Sequence, residues 1–285
     1  MESDIQQRSD IPEGTARKRT ALILAGSRPG TDPLASAAGV STKALVPVAG
    51  RPMIDHVARA LLAHPAIGEV VLLAQQPEAL AGDARTAWLK DEPRIRFRTS
   101  GSGISQSLLD WLGDTPSGLP ALVTTADNVL LDAAMIDAFL AGADGADIAV
   151  AMVERAVLMR EYPQSRRTWL KFRGGAWSGA NLFWLGGPGA ARALEKWRGI
   201  EQDRKKGRKI VSAFGPLLLL GAALRLMTVH RAVARAGRRL GAGEARVVAM
   251  PIAEACIDAD KPSDIALIET ILARRSPQGG SEPGG

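Results

Sequence analysis

Hydrophobic and polar positions along the chain give two kinds of signal that take turns. Short continuous apolar runs occur at Thr20–Ala25 (TALILA), Lys43–Val48 (KALVPV), Glu69–Ala74 (EVVLLA), Ala121–Ala126 (ALVTTA) and Asp147–Val153. Runs of this length predict buried strands. Between them the apolar positions follow helical spacing. From Pro52 onward Ile54, Val57 and Leu61 share one face, and helices are predicted over Ile104–Leu112 and around Ala133–Leu140, with a further short strand near Arg94–Arg98. Strands that alternate with helices on this scale predict a mostly parallel sheet covered on both faces.

Beyond Val153 the rhythm changes. Thr168–Phe172 and Asn181–Leu185 read as strands joined through the glycine-rich stretch Gly174–Gly179, a hairpin laid across the sheet like a substrate lid. Trp197–Leu240 is predicted helical, with breaks at Gly207, Gly215-Pro216 and Gly221; a last strand follows near Arg246–Met250. The closing helix places Ile265, Ile268 and Leu272 on one face. We divide the chain into a flexible lead-in (1–18), one domain (19–274) with an atypical basic helical part (154–245), and a disordered tail (275–285). No internal repeat is present.

Composition narrows the class. The 285 residues suffice for a sizeable core, and 46% hydrophobic with 23% charged residues excludes wholesale disorder. The single Cys256 excludes an intramolecular disulfide, and with three histidines there is no zinc-ligand spacing. The polar opening MESDIQQRSDIPEGTARKR lacks the apolar stretch of a secretory signal, so a cytoplasmic protein is expected.

Charge is unevenly spread. The net charge is +6, yet Arg192–Arg239 carries thirteen Lys/Arg against three Asp/Glu, a local +10 that leaves −4 elsewhere. Nucleic acid is not an expected partner, because the segment has no recognisable binding motif and few aromatics. The stretch 207–240 suits either a helix lying on an anionic membrane, at the inner face, or a helix buried in the core or in a dimer interface. Its glycines and proline interrupt a continuous amphipathic face and favour the latter. The oligomeric state is left open.

Three constellations could carry chemistry. Leu24-Ala25-Gly26-Ser27-Arg28-Pro29-Gly30 follows the first strand, with Lys43 downstream. Small residues at the carboxyl end of a parallel strand let backbone N–H groups approach phosphate oxygens, and Arg28 and Lys43 add cations, so this is a place for a nucleoside triphosphate. Neither G-x-G-x-x-G nor G-x-x-x-x-G-K-[ST] is satisfied, which excludes the dinucleotide and P-loop readings. Second, Thr124-Thr125-Ala126-Asp127-Asn128 puts a carboxylate at the ligand-gathering edge of the sheet. Third, Cys256-Ile257-Asp258-Ala259-Asp260 supplies two more carboxylates, hard oxygen donors suited to Mg²⁺. The plainer alternatives are an ordinary turn at Gly26 and capping roles for Asp127 and Asp260. Arg166, Arg167, Lys171 and Arg173, with Ser178 and Asn181, form a cationic and polar set on a glycine-bearing segment, while Trp169, Trp177 and Trp184 are expected to pack on the sheet.

Together LILAGSRPG…STKALVPVAGRPMI, TTADN and IDADKPSDIALIE resemble the MobA-like nucleotidyltransferases, most specifically at Lys43–Met53 and over about residues 20–273. The resemblance implies a GT-A-like, Rossmann-related three-layer α/β/α fold and transfer of a nucleoside monophosphate from an NTP, CTP or GTP, to a phosphorylated small molecule or lipid head group. It assigns the triphosphate to Ala25–Gly30 with Leu24, the pyrophosphate part to Arg28 and the α-phosphate to Lys43. Base and ribose fall near Gly101 and Ser105, and Mg²⁺ at Asp127 with Asp260 or Asp258, of which Asp260 is favoured. Lys171, Arg173 and Asn181 remain as acceptor contacts. Ser27 departs from the family's usual second glycine. A glycosyltransferase using a nucleotide sugar, and an inactive partner-binding relative, are the competing readings.

Overall fold

A computed structural model describes residues 18–26, 30, 32–101, 103–201 and 215–275. In chain order the strands are β1 (Arg19–Leu24), β2 (Pro47–Val48), β3 (Arg51–Pro52), β4 (Ile67–Ala74), β5 (Ile95–Thr99), β6 (Ala121–Thr125), β7 (Ile148–Glu154), β8 (Leu170–Phe172), β9 (Gly175–Leu185) and β10 (Ala245–Ala249). The helices are α1 (Pro33–Ala37), α2 (Met53–Ala63), α3 (Pro77–Gly82), α4 (Ile104–Asp114), α5 (Ala133–Ala143), α6 (Arg155–Glu161), α7 (Pro188–Glu201), α8 (Pro216–Ala223), α9 (Val229–Leu240) and α10 (Pro262–Arg275).

Eight strands form one mixed sheet in the order β10-β7-β9-β6-β1-β4-β5, with β8 paired to β9. β1 runs parallel to both β4 and β6, and β4 to β5. β9 is antiparallel to β6 and β7. Because side chains alternate across a strand, the continuous apolar runs serve two cores. Ala21, Ile23, Val70, Leu72 and Leu122 face one side, where α2 contributes Ile54, Val57 and Leu61, and α5 contributes Met135, Ile136 and Phe139. Leu22, Val71, Leu73, Ala121 and Val123 face the other, against Leu108 and Trp111 of α4 and Ala190 of α7. The result is the three-layer α/β/α architecture that the motifs imply.

Three sequence expectations are corrected. Lys43–Val48 is not a strand of the main sheet: Lys43–Leu45 forms a 3₁₀ turn, and Pro47-Val48 pairs with Arg51-Pro52 in a separate two-stranded ribbon. Ala49 and Gly50 make its turn with φ of 48° and 78°, and Pro47 has no N–H for a ladder. The hairpin does not lie across the sheet either. β9 inserts edge-on between β6 and β7, and most of the glycine-rich stretch is strand, with the turn at Arg173-Gly174. Gly221 lies inside α8 rather than breaking it, and Gly207 falls outside the described residues. α1 adds an element whose start is written in Asp32-Pro33. The Asp32 carboxylate accepts from Leu34 and Ala35 N–H at 2.9 and 3.1 Å, and Pro33 begins the helix.

Candidate active site

Parallel strands deliver their carboxyl ends to one edge, and there β1, β4 and β6 open a cavity of about 840 Å³. Its walls include Leu24, Ala25, Gly26 and Gly30 after β1, Gln75 after β4, and Asp127 after β6. The ladder continues past the strands: Ala25 N–H donates to Leu73 C=O (2.8 Å) and Ala126 N–H to Leu24 C=O (3.0 Å), so the Ala25-Gly26 backbone is fixed to the sheet. A Cβ on Gly26 would come within 2.9 Å of the Gln75 amide.

Lys43 is the centre of the charge arrangement. Its Nζ donates to Asp127 Oδ2 at 2.6 Å and to Asp260 Oδ1 at 2.7 Å. Burial works against the charged ammonium, but the Asp127 and Asp260 carboxylates outweigh it and hold the Lys43 pKa above the ordinary lysine value. The 3₁₀ turn that replaces the expected strand is what presents this side chain. The 258–260 loop is tied to the Asp127 segment by a bond from Ala259 N–H to Asp127 C=O (3.0 Å).

Asp127 is held on its other oxygen. Oδ1 accepts from Thr125 Oγ1 (2.5 Å) and from Asn181 Nδ2 (3.3 Å), and the same amide reaches Asp258 Oδ2 at 3.2 Å. β9 is docked here by buried polar groups: Thr124 Oγ1 donates to Asn181 C=O (2.7 Å), and Asn128 donates to Thr124 Oγ1 (3.1 Å). Asp258 itself is ion-paired with Arg167, whose guanidinium also lies 3.8 Å from Asp264. The Asp258 side chain is 18% exposed, against 53% for Asp260, and of the two it is Asp260 that lines the cavity.

The structure thus brings together Lys43, Asp127, Asp258, Asp260 and Asn181, and lines the cavity with Leu24, Ala25, Gly26, Gly30 and Gly101. Ser27 and Arg28 lie outside the described residues. Ser105 is not among the lining residues; its buried Oγ has no hydrogen-bond partner among the described residues, and its N–H donates to Glu201 Oε2 at 3.1 Å. Lys171 and Arg173 are exposed on the β8–β9 hairpin and do not line the cavity. Trp184 packs in the core as expected, Trp169 packs partly buried against it, and Trp177 meets His230 edge to face. Sequence reasoning missed Asp32, Gln75 and Glu201 as lining residues. Asp32 carried a readable helix-start signal; the others had none, because only the fold turns them toward the same space.

A strand-edge cavity with a lysine between two carboxylates is a ligand site of the kind open α/β sheets build at this edge. Residues 21–217 match the model of the MobA-like NTP transferase domain, and the chain belongs to that family. Among solved structures it is similar to one described as a hypothetical transferase from Thermus thermophilus, at 27% identity and TM-score 0.71, covering 87% of this chain and 99% of that one. It also shares its fold with a 4-diphosphocytidyl-2C-methyl-D-erythritol synthase from Anaerococcus prevotii, at 12% identity and TM-score 0.58 over 91% and 97% of the two chains. A CMP:2-keto-3-deoxy-manno-octonic acid synthetase complexed with CTP is likewise similar, at 12% identity and TM-score 0.55 over 91% and 100%. No curated protein sequence matches the chain. Family membership decides for the nucleotidyltransferase class over the glycosyltransferase reading.

Proposed function

We propose that the protein transfers a nucleoside monophosphate from an NTP to a phosphorylated small molecule or lipid head group, releasing pyrophosphate. The observation that carries this reading is the Lys43 ammonium held 2.6 and 2.7 Å from Asp127 and Asp260 at the strand edge. An acceptor phosphate oxygen, already ionised at neutral pH, attacks the α-phosphorus as the bond to the pyrophosphate oxygen breaks. Such a step needs positioning and cations rather than a general base, which agrees with a site built of lysine, carboxylates and amide.

Lys43 is the fixed positive charge for the α-phosphate. Asp127 and Asp260 would hold Mg²⁺; the donor set fits, since both are hard oxygen ligands already converging on one cation. No group of three acidic, His or Cys ligands occurs among the described residues, so phosphate oxygens and water would complete the shell, as is usual for this ion. When bound, Mg²⁺ supplies Lewis-acid stabilisation of the charge developing on the phosphates. The Ala25-Gly26 backbone offers close approach to phosphate, and Asn181 orients Asp127. Arg28, by its place in the loop, is assigned to the pyrophosphate part.

The test is pyrophosphate release with each of the common NTPs, CTP and GTP first, and Mg²⁺ against a panel of sugar, polyol and alditol phosphates. Release with one NTP that depends on one acceptor supports the reading; no pyrophosphate from any NTP, with nucleoside diphosphate released from a nucleotide sugar instead, overturns it.

A further inference from the structure

The forty residues 204–243 contain ten Lys/Arg and no Asp or Glu. Within their described part the chain folds as two short helices joined by a tight turn. α9 is strongly two-faced: Val229 and Val233 pack against Met152 and Val247, while Arg231, Arg235 and Arg238, spaced at i, i+4 and i+7, point away and are exposed. The core placement expected for this stretch holds for the inner face of α9. Leu220 of α8 and Leu224 and Leu226 after it lie outside the core, which leaves the interface and membrane placements for them.

At that turn Leu220, Leu224 and Leu226 are 55%, 59% and 64% exposed. They make up half of the large hydrophobic residues exposed among the described part of the molecule, gathered within seven positions. The turn is held in this shape: Leu224 N–H donates to Leu220 C=O and Leu226 N–H to Gly221 C=O, both at 2.8 Å. Arg225 between them adopts φ 57°, a left-handed conformation that costs a non-glycine residue about 1 kcal/mol. A helix end of this form usually buries the apolar residue that follows it. Here it holds Leu226 out in solvent with a cation beside it. Arg173, from the β8–β9 turn, donates its backbone N–H to Met227 C=O (3.0 Å), which adds the exposed Arg173 and Lys171 to the same rim.

We propose that Leu220, Leu224 and Leu226, with the exposed arginines of the neighbouring α9, form a docking surface for an anionic lipid bilayer. Leucine tips that enter the acyl boundary and guanidinium groups that meet phosphate head groups are the two parts such a contact requires. A second copy of the chain is the poorer occupant, since a two-fold contact would press this all-basic face against itself. No helix among the described residues is long and apolar enough to cross a membrane, so the contact is with the surface. β9 leads from the Trp177–His230 contact to Asn181, four residues on and about 13 Å away, so the bilayer would lie on the acceptor side of the site. The docking surface itself does not depend on the proposed reaction.

The test is co-sedimentation of the whole protein with vesicles of phosphatidylglycerol and phosphatidylcholine, against vesicles of phosphatidylcholine alone. Binding to the anionic vesicles, weakened by raising the salt, is expected. Replacing Leu224→Ser with Leu226→Ser should weaken it about tenfold, and Arg231→Gln with Arg235→Gln about thirtyfold, with melting temperatures close to that of the parent. Absence of binding to anionic vesicles, equal binding to neutral ones, or binding indifferent to the leucine replacements would each overturn the proposal. So would a dimer in sedimentation that the leucine replacements dissociate.

Discussion

The guanidinium of Arg167 pairs with the carboxylate of Asp258, while two residues further on Asp260 turns the other way and accepts from Lys43. One short loop therefore supplies one carboxylate to the interior and one to the cavity. Asp258 and Asp260 look equivalent along the chain; the cation each one meets makes them different.

Removing Arg167 should act on stability first. Arg167→Leu leaves Asp258 and Asp264 in a largely buried place without their cation, a loss of ~3 kcal/mol, the low end of the scale of buried pairs. Adding Asp258→Asn should recover part of that loss. Urea denaturation of the two single variants and the double variant measures the coupling; strict additivity would show that the pair is energetically idle.

Lys43 should act on turnover. Lys43→Met removes a preorganised cation from a site where charge develops, and a loss of about 100- to 1,000-fold in kcat is expected, with a smaller effect on KM. Lys43→Arg should recover little, because a larger planar guanidinium does not put a compact charge where the Lys43 Nζ stands. Steady-state kinetics of pyrophosphate release provide the comparison.

Alkaline pH should loosen the fold in a defined window. Burial pushes the Cys256 thiol up to about 11 from an ordinary 9.0. Burial and the Glu254 carboxylate likewise raise the Tyr162 phenol, which donates to Glu254 at 2.5 Å. Each group keeps its proton in the folded state above the pH at which the unfolded chain releases it. Stability is therefore fully present below about pH 9 and declines as pH rises toward 11, by on the order of 2 kcal/mol from Cys256. Lys43, raised in the same direction, adds its own loss only above its ordinary 10.5. Melting temperatures between pH 7 and pH 11 should stay level and then fall, with the earliest part of the fall absent in Cys256→Ala.

Much of the sheet was legible because its apolar runs are short, continuous and bounded, as at β1, β4 and β6. KALVPV misled because its composition is that of a strand, while Pro47 and the left-handed Ala49-Gly50 turn make only a two-residue ribbon. The place of β9 could not be read locally, since nothing in Gly175–Leu185 says that it pairs antiparallel with β6 and β7. In the site, Lys43, Asp127 and Asp260 were named one by one, but their meeting joins positions 84 and 217 residues apart. Lys171 and Arg173 were chosen for charge on a glycine-bearing segment, and the hairpin that exposes them is a product of the fold. Arg167 was seen as one of the same cationic set, and its burial beside Asp258 emerges only once the loop before β8 is folded down.

Thermal unfolding with ATP, GTP, CTP, UTP and dTTP, each with and without Mg²⁺, tests the central claim most directly. A nucleotide present at about a hundred times its dissociation constant should stabilise the protein by roughly 2.7 kcal/mol. The account predicts a Mg²⁺-dependent rise in melting temperature with one NTP, lost in Asp127→Asn and in Asp260→Asn and retained in Asp258→Asn. No rise with any NTP, or a rise indifferent to Mg²⁺ and to Asp127, would contradict it.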